Sequence, residues 1–268
     1  MAKNRSASFG TRFFLRATAG NAGGGAVASL RASPCRLKKR NWRLREDWFS
    51  KLSRSPQAEG GDDKARLRER FKALRASVPA ETARAAALAV ADSAPRLLTR
   101  LIEDAGLAPT QAPVALYFSL PGELDCAPLL GALAGLGFPT LLPCAGAKAT
   151  PLAFRLWRPG DALVAGRYGL SEPARDAREM APKILLAPLL AFDERGGRLG
   201  FGGGYYDATL AALRAEKTLL AAGGLAFARQ RASALPMEKH DAPLDFVITE
   251  QETLNFMEGR CGFSSSAT

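Results

Sequence analysis

Between residues 195 and 207 the chain reads Arg-Gly-Gly-Arg-Leu-Gly-Phe-Gly-Gly-Gly-Tyr-Tyr-Asp. An apolar run at 184–187 precedes this segment and a helical pattern at 205–215 follows it. Gly200, Gly202, Gly203 and Gly204 carry no Cβ, so the backbone can take positive φ and come close to a ligand. Successive N–H groups in such a turn make an anion-binding concavity. A helix starting near Tyr205 adds the positive end of its dipole. Arg195 and Arg198 are expected to supply charge for phosphate. Asp207, in the first helical turn, could hold a hydrated magnesium ion. Alone, the pattern is weak. It lacks the Gly-Lys-Ser/Thr of a P-loop and the Rossmann spacing, and a surface hairpin around Gly196-Gly197 followed by a helix cap is the commoner outcome.

Other residues could join that chemistry. Lys64 and Arg68 are spaced i, i+4 on a helical pattern, which puts both on one face and suits a polyanion, although an isolated pair of this kind is more often a solvated basic face. Glu123 follows Pro121-Gly122 and by itself reads as a turn acid. Asp241 follows His240 and by itself reads as a capping or turn residue. His240 reads as structural rather than catalytic, and Trp157 as core or pocket wall. Other chemistries are disfavoured. Cys35, Cys126, Cys144 and Cys261 include no Cys-x-x-Cys, and with a single histidine a zinc site of Cys and His pairs is not expected. The cysteine density does not suggest a disulfide framework, so a reducing compartment is the default. No Gly-x-Ser-x-Gly elbow accompanies His240.

The elements that must position these residues fall in order along the chain. Asp62 or Asp63 can cap a helix running to about residue 77, with Leu67, Phe71 and Leu74 on one apolar face. An Ala-rich helix is expected over 80–92, and Pro95 is expected to restart a short one ending at residue 101. Strands are expected at 114–118, 140–142, 152–157, 184–187, 218–221 and 246–248, and helices at 127–136 and 205–215. Strands alternating with helices predict an α/β fold: an open, mostly parallel sheet flanked by helices, preceded by a helical N-terminal segment. Such sheets bind ligands in loops at the carboxyl ends of their strands.

The net charge of +11 in 268 residues is a nucleic-acid signal only at first sight. Residues 1–58 hold 13 Lys or Arg against two acids, which is the whole excess; residues 59–268 balance 24 bases with 24 acids. A duplex-binding body is therefore disfavoured. Residues 1–61 are expected to be a basic, disordered extension. They read first as the product of a start codon placed too far upstream, and otherwise as a mitochondrial-type presequence or a basic tail touching RNA or membrane. Residues 62–250 are expected to form the α/β domain and 251–268 a C-terminal tail. No apolar run approaches the roughly 20 residues of a spanning helix.

The string Leu-Gly-Phe-Gly-Gly-Gly-Tyr-Tyr-Asp at 199–207 resembles the signature of the 5-formyltetrahydrofolate cyclo-ligase family. Other pieces match in order: Lys64-Ala-Arg-Leu-Arg68; Phe118-Ser-Leu-Pro-Gly-Glu-Leu-Asp125; Gly169-Leu-Ser-Glu-Pro173; Gly224-Leu-Ala-Phe227; Gln230; and His240-Asp241 through Asp245. The resemblance spans about residues 64–250. It implies a ligase that uses ATP and magnesium to convert 5-formyltetrahydrofolate to 5,10-methenyltetrahydrofolate, giving ADP and phosphate through a phosphorylated imidate. It implies ATP contacts from Lys64, Arg68, Arg198, Leu199, Gly200, Phe201, Gly202, Gly203, Gly204, Tyr205 and Tyr206. It implies folate contacts from Phe118, Glu123 and residues 201–205, and magnesium ligands in Asp207 and Asp241. Phe201 and Gly203 fill slots where other members often carry a basic or larger polar residue, so backbone contacts are expected there rather than side-chain ones. Of Tyr205 and Tyr206, one is expected in the core and one at the pocket. The implied protein is a cytoplasmic monomer with a small-molecule substrate and neither nucleic-acid nor membrane partners; a genuine presequence would instead make it mitochondrial. Two readings compete: a sugar-phosphate or acyl-group enzyme on a related sheet, and an RNA binder that works through its basic tail.

Overall fold

The structure, a computed structural model, describes residues 62–167 and 170–257. The expectations for residues 1–61, including disorder, and for Gly169 lie outside the described residues.

Helix α1 spans Asp62–Ala76. Leu67, Phe71 and Leu74 give it the expected apolar face, which packs on a small cluster of Leu190, Ala191, Leu199 and Leu235. Helix α2 spans Ala80–Asp104 without interruption, with Pro95 inside it. The expected break at Pro95 is absent. An interior proline costs a helical hydrogen bond, but the stripe of Ala86, Ala87, Val90, Ala94, Leu98 and Ile102 is buried along the whole length. Ending the helix at Pro95 would strand Leu98 and Ile102 off the core.

The main sheet has seven strands: β1 Val114–Ala115, β2 Thr140–Cys144, β3 Ala153–Leu156, β6 Ile184–Pro188, β9 Ala221–Leu225, β10 Phe246–Ile248 and β11 Thr253–Asn255. Their order is β11-β10-β9-β6-β1-β2-β3. The five inner strands are parallel, and antiparallel β3 and β11 close the two edges. Residues 253–255, placed in a tail by the sequence reading, thus supply an edge strand. Side chains alternate across the sheet. Ile184 and Leu186 face one core, with α2 and helix α3, Ala127–Gly135. Leu185 and Ala187 face a second, with helix α4, Tyr205–Ala215. No helix among the described residues is long and apolar enough to cross a membrane.

Strand β9 begins where the expected strand at 218–221 ends. Two glycines hid it. A Cβ on Gly223 would clash with the edge of the Phe246 ring, and one on Gly224 would lie 2.6 Å from Leu189. These positions are glycine because neighbouring side chains fill the space, not because the chain turns. Two small hairpins were also not anticipated: β4 Leu163–Ala165 with β5 Ser171–Pro173, and β7 Ala191–Phe192 with β8 Arg198–Leu199. The chain moves from β1 outward to β2 and β3, then returns to β6 on the other side of β1. That reversal leaves a crevice at the carboxyl ends of β1 and β6, where open α/β sheets bind ligands.

Candidate active site

A cavity of about 400 Å³ opens at this crevice. Its walls include Pro143 within β2 and Ala145 just beyond that strand, Pro188 at the end of β6, and Tyr117 and Phe118 after β1. Every residue that the family resemblance assigns to ATP, folate or metal lines it: Lys64 and Arg68; Phe118 and Glu123; the whole segment 198–207; and Asp241.

The Gly-rich turn is held from two sides. Gly204 is the N-cap of α4 with φ 71°, and Gly202 has φ 92°. Arg68 Nε donates to Gly200 O at 3.0 Å, and Ala149 N donates to Gly203 O at 3.2 Å. A Cβ on Gly202 would press on the Arg68 guanidinium at 3.4 Å. The positive φ is what favours glycine at 202.

Arg198 is almost wholly buried. Its guanidinium donates to Asp207 Oδ1 at 2.7 Å and lies over the Tyr206 ring at 5.5 Å. Its Nε is buried with no hydrogen-bond partner, an orphan donor at the edge of the cavity. Arg195 departs from expectation. It does not line the cavity but turns outward to Asp193, whose buried carboxylate also accepts from the backbone N–H groups of Arg195, Gly197 and Leu235. The Gly196-Gly197 hairpin is anchored by that acid and supplies no phosphate charge. Tyr205 and Tyr206 both reach the cavity, and Tyr206 also packs on the sheet core. The division into one core and one pocket tyrosine is therefore only half met.

At the other end, Lys64 Nζ sits 2.7 Å from Asp241 Oδ2 and 2.8 Å from Glu238 Oε1. Burial opposes the lysine charge, and the two carboxylates outweigh it, so its pKa rises. Burial also works against the Asp241 carboxylate, but Lys64 and the Glu238 N–H hold its pKa below the usual value. His240 is exposed at the rim, 3.5 Å from Glu238 Oε2. Trp157 is set at the core margin, donating to Asp161 O, and does not line the cavity.

Glu123 is buried in the turn after Pro121-Gly122. Oε2 accepts from Leu120 N at 2.9 Å and Oε1 faces Arg75 at 3.5 Å. Burial pushes its pKa up, against the pull of the Leu120 N–H and Arg75. Phe118 was expected on a strand at 114–118, but β1 ends at Ala115 and Phe118 stands exposed on the rim. The sequence reading missed Arg75, Glu238, and Glu172 as a wall residue. Arg75 carried a signal, because it lies seven residues beyond Arg68 on the same helical stripe.

Among the described residues no group of three or more His, Cys, Asp or Glu is gathered as a metal site. Asp207 accepts through Oδ1 and Asp241 through Oδ2. The second oxygen of each fits the sparse carboxylate set that magnesium takes beside phosphate oxygens. Asp207 Oδ1 also accepts from Ala242 N at 3.2 Å, which joins the two aspartate segments.

A model of the 5-formyltetrahydrofolate cyclo-ligase family matches residues 61–250. The chain belongs to that family. The 5-formyltetrahydrofolate cyclo-ligase of Escherichia coli (strain K12) is 40% identical over 141 residues, covering 51% of this chain and 76% of the relative. The Haemophilus influenzae cyclo-ligase is 34% identical over 139 residues, covering 49% and 72%. The solved structure of Aquifex aeolicus 5,10-methenyltetrahydrofolate synthetase superposes with a TM-score of 0.54 at 25% identity, covering 76% of this chain and 99% of that one. The Mycoplasma pneumoniae synthetase, at 20% identity and a TM-score of 0.52, shares the fold. The cyclo-ligase family is one of ligases, so the cavity is read below as an enzyme's active site.

Proposed function

We propose that this cyclo-ligase closes the ring of 5-formyltetrahydrofolate to 5,10-methenyltetrahydrofolate, with ATP as co-substrate and ADP and phosphate as products. The observation that carries the reading is convergence. The Gly-rich turn, the two basic residues of α1, Glu123 and both aspartates line one cavity, although they span 64 to 241 in the chain.

A formyl oxygen on nitrogen is a poor leaving group. Transfer of the γ-phosphoryl group to it forms an O–P bond, breaks the bond to ADP and gives a phosphorylated imidate. The neighbouring folate nitrogen then attacks the formyl carbon, phosphate departs, and that nitrogen loses its proton. The protein's work is positioning and charge neutralisation. Lys64, Arg68, Arg198, the N–H groups of the Gly-rich turn and the α4 N-terminus face the phosphates. Leu199, Phe201 and Tyr205 complete that wall. Glu123 accepts pterin N–H groups, and Phe118 and Phe201 give an apolar surface for the ring system. Asp207 and Asp241 would hold magnesium, which supplies positive charge to the phosphates when bound. Lys64 reaches phosphate by exchanging its carboxylate partners for it. On this reading the enzyme is a cytoplasmic monomer without nucleic-acid or membrane partners; intact mass of the natural protein tests whether residues 1–61 are a cleaved presequence.

Mixing the protein with 5-formyltetrahydrofolate, ATP and magnesium should raise the ultraviolet absorbance of the methenyl product. A rise independent of ATP, or none, refutes the proposal. Asp207→Asn should lower kcat by roughly 100-fold, as for other preorganised charge groups; an unchanged rate removes Asp207 from the site.

A further inference from the structure

We propose that Arg75 is a positioning residue that fixes the Glu123 carboxylate and the Gly-rich turn as one unit. The proposal rests on the reading of Glu123 as a folate contact and goes beyond it. Arg75 does not line the cavity, so it acts through its neighbours. It lies in the last turn of α1 and is 6% exposed. From there one guanidinium meets three segments. Its Nη1 is 3.5 Å from Glu123 Oε1 and 3.5 Å from Leu189 O, beyond the end of β6. The guanidinium carbon lies 5.0 Å from the centre of the Phe201 ring, inside the Gly-rich turn.

Both hydrogen bonds are long, so the contribution is charge and shape rather than one short bond. A planar guanidinium can lie against a ring while its edge faces oxygens; an ammonium cannot do both. The position follows from the helix. Lys64, Arg68, Phe71 and Arg75 repeat at intervals of four, three and four residues, so they share one stripe. The stripe carries Lys64 and Arg68 to the Gly-rich turn and Asp241, Phe71 to the apolar cluster, and Arg75 to Glu123.

The surroundings of Glu123 give Arg75 its weight. Tyr117 and Cys126 face the carboxylate from its own segment, and Tyr206 from α4. Burial raises the pKa of all three, so they stay protonated and uncharged. Among the described residues Arg75 is the cation that favours ionised Glu123. A protonated Glu123 loses acceptor capacity for pterin N–H groups. Arg75 therefore sets the pH below which folate is held poorly, while its stack on Phe201 keeps the nucleotide turn against the folate end.

The test uses the full chain. In ligand-free protein, ¹³C NMR follows the titration of the Glu123 carboxyl, assigned with Glu123→Gln. Arg75→Gln should move that titration up by about one pH unit, the lower end of what an adjacent opposite charge supplies. The acid limb of kcat/KM for folate should move with it. Near that limb the folate KM should rise roughly tenfold, the equivalent of one such unit, while the ATP KM changes less. Arg75→Lys, which keeps the charge in case Arg75→Gln does not fold, should leave the titration in place but still raise the folate KM through the lost stack. An unmoved titration in folded Arg75→Gln, with both KM values changing in parallel, reduces Arg75 to a packing residue. Wild-type constants in Arg75→Lys overturn the stacking role. If the wild-type protein shows no cyclisation, the NMR arm still decides this proposal, so the two failures are distinguishable.

Discussion

At the scale of the residue, Glu123 is under opposing demands. It is buried, which favours its proton, yet it faces Arg75 and the Leu120 N–H, which favour its loss. Burial prevails and the pKa lies above the usual 4.5. The consequence for stability has a definite sign. Below that usual value both native and unfolded chains hold the proton, and the contribution is fully present. Between the usual value and the raised native one, the native chain keeps a proton that the unfolded chain has released, so stability falls until the native chain releases it too. Glu123→Gln lacks this term. Its Tm minus that of the wild type should therefore grow as pH rises above the usual carboxylate value, whatever the difference at the acid end. A flat difference across a thermal-denaturation series would show that Glu123 does not titrate above its ordinary range.

At the scale of the element, most of the architecture was legible because burial imposes period. Leu67, Phe71 and Leu74 marked α1, and the apolar run at 184–187 marked β6. The Gly-rich turn was legible for a different reason: its positive φ values at 202 and 204 favour glycine. What was not legible depends on partners distant in sequence. Pro95 looks like a helix break until Leu98 and Ile102 are seen in the core. Arg195 and Arg198 look alike in the chain, and only Asp193 and Asp207 send one outward and the other to the cavity. Gly223 and Gly224 look like a turn until Phe246, Leu189 and Leu244 are seen filling the space above them. That last point can be checked. Gly223→Ala drives a methyl into the Phe246 ring and should cost about 3 kcal/mol in a urea unfolding series, at the upper end of ordinary overpacking. A cost near zero would mean that β9 and β10 can part without penalty.

At the scale of the whole chain, charge is segregated. The excess of +11 lies entirely within residues 1–58, and the remainder is neutral. The family match begins at residue 61, and the cavity is lined from residue 64 onward. Removing residues 1–58 should abolish salt-dependent retention on a heparin column and leave the cyclisation rate unchanged. Retention that survives the deletion would locate a basic surface in the α/β body instead. The same balance recurs at the cleft, where Lys64 and Arg198 each lean on a carboxylate of its wall and Arg75, behind that wall, leans on Glu123. Those three cations are already spoken for. A lone orthophosphate ion must divorce one of these couples with little to offer in return, whereas a nucleotide arrives with many points of attachment. The enzyme should therefore work undisturbed in a phosphate-rich medium, unresponsive to the commonest small anion around it.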